Sequence, residues 1–236
     1  MTQNLDSTNP NLTLGDPSGY NAMLDANANA RLTSARKILA SVFQTFSPSS
    51  VLDIGCGHGA WLQVAKELGA DTIRGVDGPW INPNELLIPA SCFSAQSLEK
   101  PLDLDQQFDL VISLEVAEHL PKIAAEVFVD SLVRHGDVLL FSAAIPFQGG
   151  NGHVNEQWPG YWAKKFAARG FKTLDVIRPM IWGDESVFWW LQQNTLLLLN
   201  ESALEKYKDL RSEVAENLDA LAMVHPLLYL RQQSAR

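Results

Sequence analysis

The chain has 236 residues, 46% hydrophobic and 19% charged, which suits one domain with a sizeable core and excludes wholesale disorder. Its 18 Lys and Arg against 27 Asp and Glu leave a net charge of −9, an argument against a broad grip on nucleic-acid phosphates or an anionic membrane. Two cysteines, Cys56 and Cys92, make neither a disulfide framework nor a paired metal site. The greasiest stretch, 188–199, is interrupted by Gln192, Gln193 and Asn194, so no bilayer span is expected. The N-terminus has no cationic start and no apolar block, so no secretory leader is expected, and the protein reads as cytoplasmic.

Residues 1–19 are rich in Asn, Thr, Ser, Asp and Pro and read as a tail. Tyr20 to Phe46 has helical spacing (Leu32, Ala35, Ile38, Leu39, Val42, Phe43) and reads as a lid over a ligand. From Ser50 the chain alternates. Strands are expected at 50–54, 72–76, 92–95, 108–113, 137–144, 171–177 and 187–199. Helices are expected at 60–68, 122–134 and 158–169, each followed by a glycine stop at Gly69, Gly136 or Gly170, with a helical turn within 82–87. Residues 201–224 read as one amphipathic helix through Tyr207, Leu210, Val214, Leu218 and Leu221, interrupted at Pro226. The divisions are a tail and lid at 1–46, a central domain at 47–200 and a helical tail at 201–236. Continuous apolar strands alternating with helices imply an α/β fold, a parallel sheet covered on both faces. Ligands in such sheets sit beyond the carboxyl ends of the strands.

The chemistry falls there. Val51-Leu-Asp-Ile-Gly55-Cys-Gly57-His-Gly59 joins a strand to a helix through glycines at alternate positions. Glycine is needed where a ligand passes closer than a Cβ allows, and the helix start offers free N–H groups. The loop has no Lys for a triphosphate and is not the spacing of dinucleotide binders. Asp53, inside the strand end, needs hydrogen-bond donors to persist. Asp77, 20 residues after Gly57, ends the next strand and can accept hydrogen bonds from a ribose diol.

VLDIGCGHGAW, GVDG, FDLVISLEVAEHLP and GDVLLFSAAIP together resemble the class I S-adenosylmethionine-dependent methyltransferases over roughly residues 50–199. The resemblance implies a three-layer α/β sandwich with a mostly parallel, seven-stranded sheet of Rossmann-like methyltransferase topology. It implies S-adenosyl-L-methionine as cofactor. Asp53, Gly55, Cys56 and Gly57 would lie at its methionine end, Asp77 at the ribose, Gln96 or Ser97 at the adenine. Tyr20 and Glu115 are further candidates to touch it.

Glu115, Glu118 and His119 have spacing i, i+3, i+4, one face of a helical turn, just beyond a central strand. His153 follows the next strand. The four are candidate ligands for a divalent metal. The same spacing resembles the ubiquinone-pathway O-methyltransferases and the small-RNA 2′-O-methyltransferases, the latter completing the site with a later histidine. Without a metal, His119 or His153 would serve as general base, with Glu115 beside it, and this base reading is the favoured one. His58 is expected to flank the cofactor and His135 to cap a helix end. Of the seven tryptophans, Trp158 or Trp162 is expected at the substrate, and at least one of Trp189 and Trp190 in the core. The expected reaction is O-methylation of a small molecule such as a sugar, phenol or secondary metabolite. Rivals are N- or carboxyl-methylation, with Arg31, Arg36 and Arg178 as candidate carboxylate clamps, an RNA 2′-O-methyltransferase, and a non-catalytic adenosylmethionine-binding protein.

Overall fold

The computed structural model describes residues 27–234, so the expected tail and the Tyr20 end of the lid lie outside the described residues. The strands are β1 (Ser50–Ile54), β2 (Thr72–Asp77), β3 (Phe93–Ala95), β4 (Leu110–Leu114), β5 (Val138–Ser142), β6 (Phe171–Leu174) and β7 (Leu196–Asn200). They form one seven-stranded sheet in the order β3-β2-β1-β4-β5-β7-β6. Only β7 runs against its neighbours. The order reverses between β1 and β4, which are paired in parallel from Val51↔Leu110 to Asp53↔Ile112. That switch point opens a crevice at the carboxyl ends.

Alternate side chains point to opposite faces. Val51, Leu110, Ile112, Val138 and Leu140 join one core, with α1 (Ala28–Phe46) and α2 (Ala60–Glu67). Leu52, Val111, Leu139 and Phe141 join the other, with α3 (Ala125–Arg134) and α4 (Pro159–Ala167). Both faces are covered, which is why the central strands carry apolar residues at consecutive positions. Along α1 the residues Ala35, Ile38, Leu39, Val42, Phe43 and Phe46 are buried, the stripe the spacing predicts. The helix ends as Ser47 turns left-handed (φ 44°) and its N–H bonds the Phe43 carbonyl.

Two expected elements differ. The strand predicted for 187–199 is a short helix, α6 (Trp189–Asn194), followed by β7. Pairing of β7 with β5 starts only at Leu196↔Phe141. Trp189 and Trp190 therefore lie in a first helical turn, and Trp189 is in the core. The helix predicted for 201–224 ends early. The α-helical part is α7 (Glu201–Lys206), its start capped by the Asn200 side chain on Ala203 N, and only 3-10 turns follow at Lys208–Glu213 and Leu218–Leu221. Beyond it Val214 bridges Leu174 on the edge strand β6, and Ala215 N donates to Thr173 O. The open edge of β6 offers groups that a continuing helix would leave unpaired. Tyr207 meets Phe46 edge to face, with ring centroids 4.7 Å apart. Pro226 does not interrupt a helix but begins one, α8 (Pro226–Ser234), where its missing N–H costs nothing. The four-residue α5 (Arg178–Ile181) precedes α6.

Candidate active site

The glycine loop is built by backbone conformations that side chains resist. Gly55, Gly57 and Gly59 have φ of 88°, 54° and 85°. A Cβ on Gly55 would lie 2.3 Å from a Val116 methyl, and one on Gly59 would lie 2.9 Å from Ile88. The first contact seats the segment after β4 directly on the loop. Gly55 N and Cys56 N both donate to Val76 O, at 2.8 and 3.2 Å, which ties the loop to β2.

Asp77 fixes the loop from the side. Its carboxylate accepts Gly57 N at 2.7 Å, Gly78 N at 2.6 Å and the Trp80 side chain. Those donors favour the charged form, yet burial outweighs them and lifts its pKa to about 6. Asp53 is buried too. Burial first, then the neighbouring Asp77 charge, pushes its pKa well up, and its Oδ2 has no partner. A strap after β2 covers the loop: His58 Nε2 lies 3.3 Å from Glu85 Oε2, and Leu87 N donates to His58 O. Gln96 N donates to Asp77 O at 2.8 Å, so the exposed Gln96 and Ser97 begin beside the ribose candidate.

The second half follows β4 and β5. Glu115 has φ 56°, a left-handed conformation costing a non-glycine residue about 1–3 kcal/mol. Its N–H is held by the carbonyl and hydroxyl of Ser142 at 3.1 and 3.0 Å. Glu115 is not among the residues whose ligand atoms converge with Glu118 and His119, although its charge is felt at Glu118. Its carboxylate is gripped by side-chain amides, Asn194 Nδ2 to Oε1 at 3.0 Å and Gln148 Nε2 to Oε2 at 2.9 Å.

Glu118, His119 and His153 come together instead, each offering one ligand atom within 4.8 Å of the others. Glu118 has no exposed surface, and no side chain donates to its carboxylate; only the backbone N–H groups of Glu118 and Ala144 favour its charged form. Burial, then the Glu115 charge, drives its pKa well up. His119 Nδ1 is likewise buried without a partner, and burial followed by His153 lowers its pKa to about 4. The two imidazoles meet edge to face, with centroids 4.8 Å apart. His153 is oriented by Glu156 Oε1, 2.9 Å from Nδ1, which leaves Nε2 4.0 Å from Glu118 Oε1. A carboxylate behind a histidine fixes its tautomer and raises its basicity as a ligand. The loop is tied down by Val154 N and Asn155 N, both donating to Glu118 O.

Residues 26–142 match the family profile of a methyltransferase domain. Two curated relatives are ubiquinone biosynthesis O-methyltransferases. The one from Bartonella bacilliformis is 27% identical over 106 residues, 42% of this chain and 42% of the relative. The one from Azorhizobium caulinodans is 30% identical over 124 residues, 46% of this chain and 47% of the relative. The resemblance to the class I S-adenosylmethionine-dependent methyltransferases is borne out over this matched stretch. The chain spans about half the length of the curated relatives it matches. Solved structures share the fold. An O-methyltransferase family protein from Burkholderia thailandensis has a TM-score of 0.57 at 14% identity, over 79% of this chain and 60% of that one. The plantazolicin methyltransferase in complex with a desmethyl analogue and S-adenosylhomocysteine has 0.54 at 16%, over 79% and 92%.

The donor residues expected from sequence, Asp53, Gly55, Cys56, Gly57 and Asp77, fall on one continuous loop and strand end. Tyr20 lies outside the described residues. Of the expected metal set, Glu118, His119 and His153 bring ligand atoms within 4.8 Å of one another, while the Glu115 carboxylate is held by Asn194 and Gln148. The three arginines considered for a carboxylate clamp are otherwise engaged. Arg178 is buried and bonds Asp175, Gln193 O and Leu221 O, Arg36 pairs with Glu67, and Arg31 already has a partner. Trp162 is buried against Phe141, and Trp158 keeps an exposed face. His135 bonds the Ser131 carbonyl at the end of α3 and accepts Leu104 N at 3.0 Å, so it caps the helix from within the core. Sequence reading missed Gln148, Asn194, Asn155 and Glu156. The polar run Gln192-Gln193-Asn194-Thr195 inside an apolar stretch was the available signal, because all four are buried.

Proposed function

We propose that the protein transfers the methyl group of S-adenosyl-L-methionine to a hydroxyl oxygen of a small molecule, with a divalent cation held by Glu118, His119 and His153. The observation that carries this is the buried Glu118 carboxylate. No side chain donates to either of its oxygens, only the backbone N–H groups of Glu118 and Ala144 favour its charged form, and one oxygen lies with a nitrogen of each of two imidazoles. A bare buried carboxylate is costly unless a cation or proton satisfies it. The donor set, one oxygen and two nitrogens, suits a borderline divalent ion.

The glycine loop supports donor binding, since its left-handed glycines hold a turn that side chains resist at the carboxyl end of β1, where ligands bind in such sheets. Asp77 would accept from the ribose, and Gly57 N–H holds that carboxylate in place. Methyl transfer is an in-line displacement, so alignment of the acceptor oxygen with the sulfonium supplies much of the rate. A bound divalent ion lowers the pKa of a coordinated hydroxyl. His119, with a pKa of about 4, stays neutral across the physiological range, which suits a ligand and makes it a weak base. This departs from the base reading preferred on sequence grounds. Glu156 keeps His153 Nε2 directed at Glu118.

A carboxylate acceptor lacks a free basic clamp among the arginines considered, and the net charge of −9 disfavours RNA. No helix among the described residues is long and apolar enough to cross a membrane. We place the reaction in small-molecule biosynthesis in the cytoplasm, where the donor is made. The test is a transfer screen with labelled donor over hydroxylated, amino and carboxyl acceptors, with and without chelator. Turnover confined to hydroxyl acceptors and stopped by chelator is expected. Chelator-resistant transfer, or transfer only to amines, overturns the reading.

A further inference from the structure

Glu115 is the end of a longer chain of hydrogen bonds. His225 N donates to Gln193 Oε1 at 2.8 Å. A backbone N–H only donates, so the Gln193 amide is fixed with its nitrogen pointing onward. Gln193 Nε2 donates to Gln148 Oε1 and to Asn194 Oδ1, both at 3.0 Å. Gln148 Oε1 also receives Asn194 Nδ2 at 2.9 Å. With both amide oxygens occupied, Gln148 Nε2 and Asn194 Nδ2 are left to donate to the two oxygens of Glu115. Flipping any one amide would set N–H against N–H. Gln193 and Asn194 are buried, so water does not substitute for a lost partner.

We propose that Gln193, Gln148 and Asn194 form a directional amide relay through which the C-terminal segment positions the Glu115 carboxylate in the acceptor pocket. The proposal rests on the reading of that pocket as the methyl-transfer site. The segment spans both elements that present the relay. Arg178 ties Gln193 O to Leu221 O at 3.1 and 2.9 Å. Leu228 of α8 packs with Ile145 and Trp189. Gln232 Nε2 donates to Phe147 O at 2.6 Å, on the loop that carries Gln148. Residues 221–232 therefore brace α6 and the loop after β5 against each other, although they lie beyond the stretch, 26–142, that matches the family. Gln193 is a positioning residue, acting on Glu115 only through Gln148 and Asn194.

The test uses the full chain, carbon-13 labelled at glutamate carboxyls, in complex with S-adenosylhomocysteine. The Glu115 signal is identified by its absence in Glu115→Gln. Gln193→Glu keeps an oxygen for His225 N and leaves at most one onward donor in place of two. It is expected to shift the Glu115 carboxyl signal and to speed solvent exchange of the Gln148 and Asn194 amide protons by up to roughly tenfold, the upper end for one neutral hydrogen bond. Affinity for S-adenosylhomocysteine should stay within about twofold, since that loop lies on β1 and β2. Should Gln193→Glu not fold, Gln148→Asn shortens the relay from the loop side and is read in the same way. An unmoved Glu115 signal with unchanged amide exchange overturns the relay. Failure of the wild-type chain to bind S-adenosylhomocysteine would instead undo the functional reading.

Discussion

The two halves of the crevice are built differently. The proposed donor half is made by neighbours in sequence. Gly55 to Gly59 turn the chain, Asp77 closes on Gly57, and the motif spells the geometry. The proposed acceptor half is made by residues far apart. Glu118 and His119 follow β4, His153 and Gln148 follow β5, and Gln193 and Asn194 precede β7. A local site survives as a pattern that a single sequence reveals. A distributed site depends on packing, and its members look like ordinary polar residues until the sheet is assembled.

The comparison predicts unequal responses to substitution. The largest effect belongs to the donor loop. Gly55→Val places a branched side chain at a φ of 88° and into Val116, so calorimetry should find no binding of S-adenosylhomocysteine. Retained affinity would show that the loop is not the donor cradle.

Arg178→Leu comes next. It leaves the Asp175 carboxylate and the Gln193 and Leu221 carbonyls without their buried donor. Breaking one side of such a buried pair costs about 3–5 kcal/mol, to be read in denaturant unfolding. A loss below about 1 kcal/mol, the range of surface pairs, would mean that the C-terminal segment is loosely held.

The smallest effect is a pH dependence at Asp77. Its folded pKa, about 6, is raised above the usual 3.8. Ionisation therefore costs the free protein stability, which falls as pH rises from about 4 through about 6. Donor binding should run the other way, because ribose hydroxyls donate to the ionised carboxylate. Affinity for S-adenosylhomocysteine should climb as pH rises through about 6 and then level. Asp77→Asn should flatten that climb; a climb that persists would assign it to another group.

Legibility in the sequence follows the same division. The parallel sheet and its two covered faces were readable because Val51, Leu52, Leu110 and Val111 are apolar at consecutive positions. The 187–199 segment was not, because Trp189 to Leu191 carry no signal that separates a strand from one buried helical turn. The 201–224 helix was overridden by the free edge of β6, a long-range effect that Leu210 and Val214 do not announce. At the site, the spacing of Glu115, Glu118 and His119 suggested one helical face. The left-handed turn at Glu115 breaks it, and that turn depends on Ser142 from β5.

The measurement closest to the central claim is a divalent-metal titration of the chelator-stripped protein, followed by calorimetry, on the wild type and on Glu118→Ala. The account predicts one saturable site that is lost in Glu118→Ala, while S-adenosylhomocysteine binds both proteins alike. No saturable metal binding by the wild type, together with methyl transfer that ignores chelator, would contradict it.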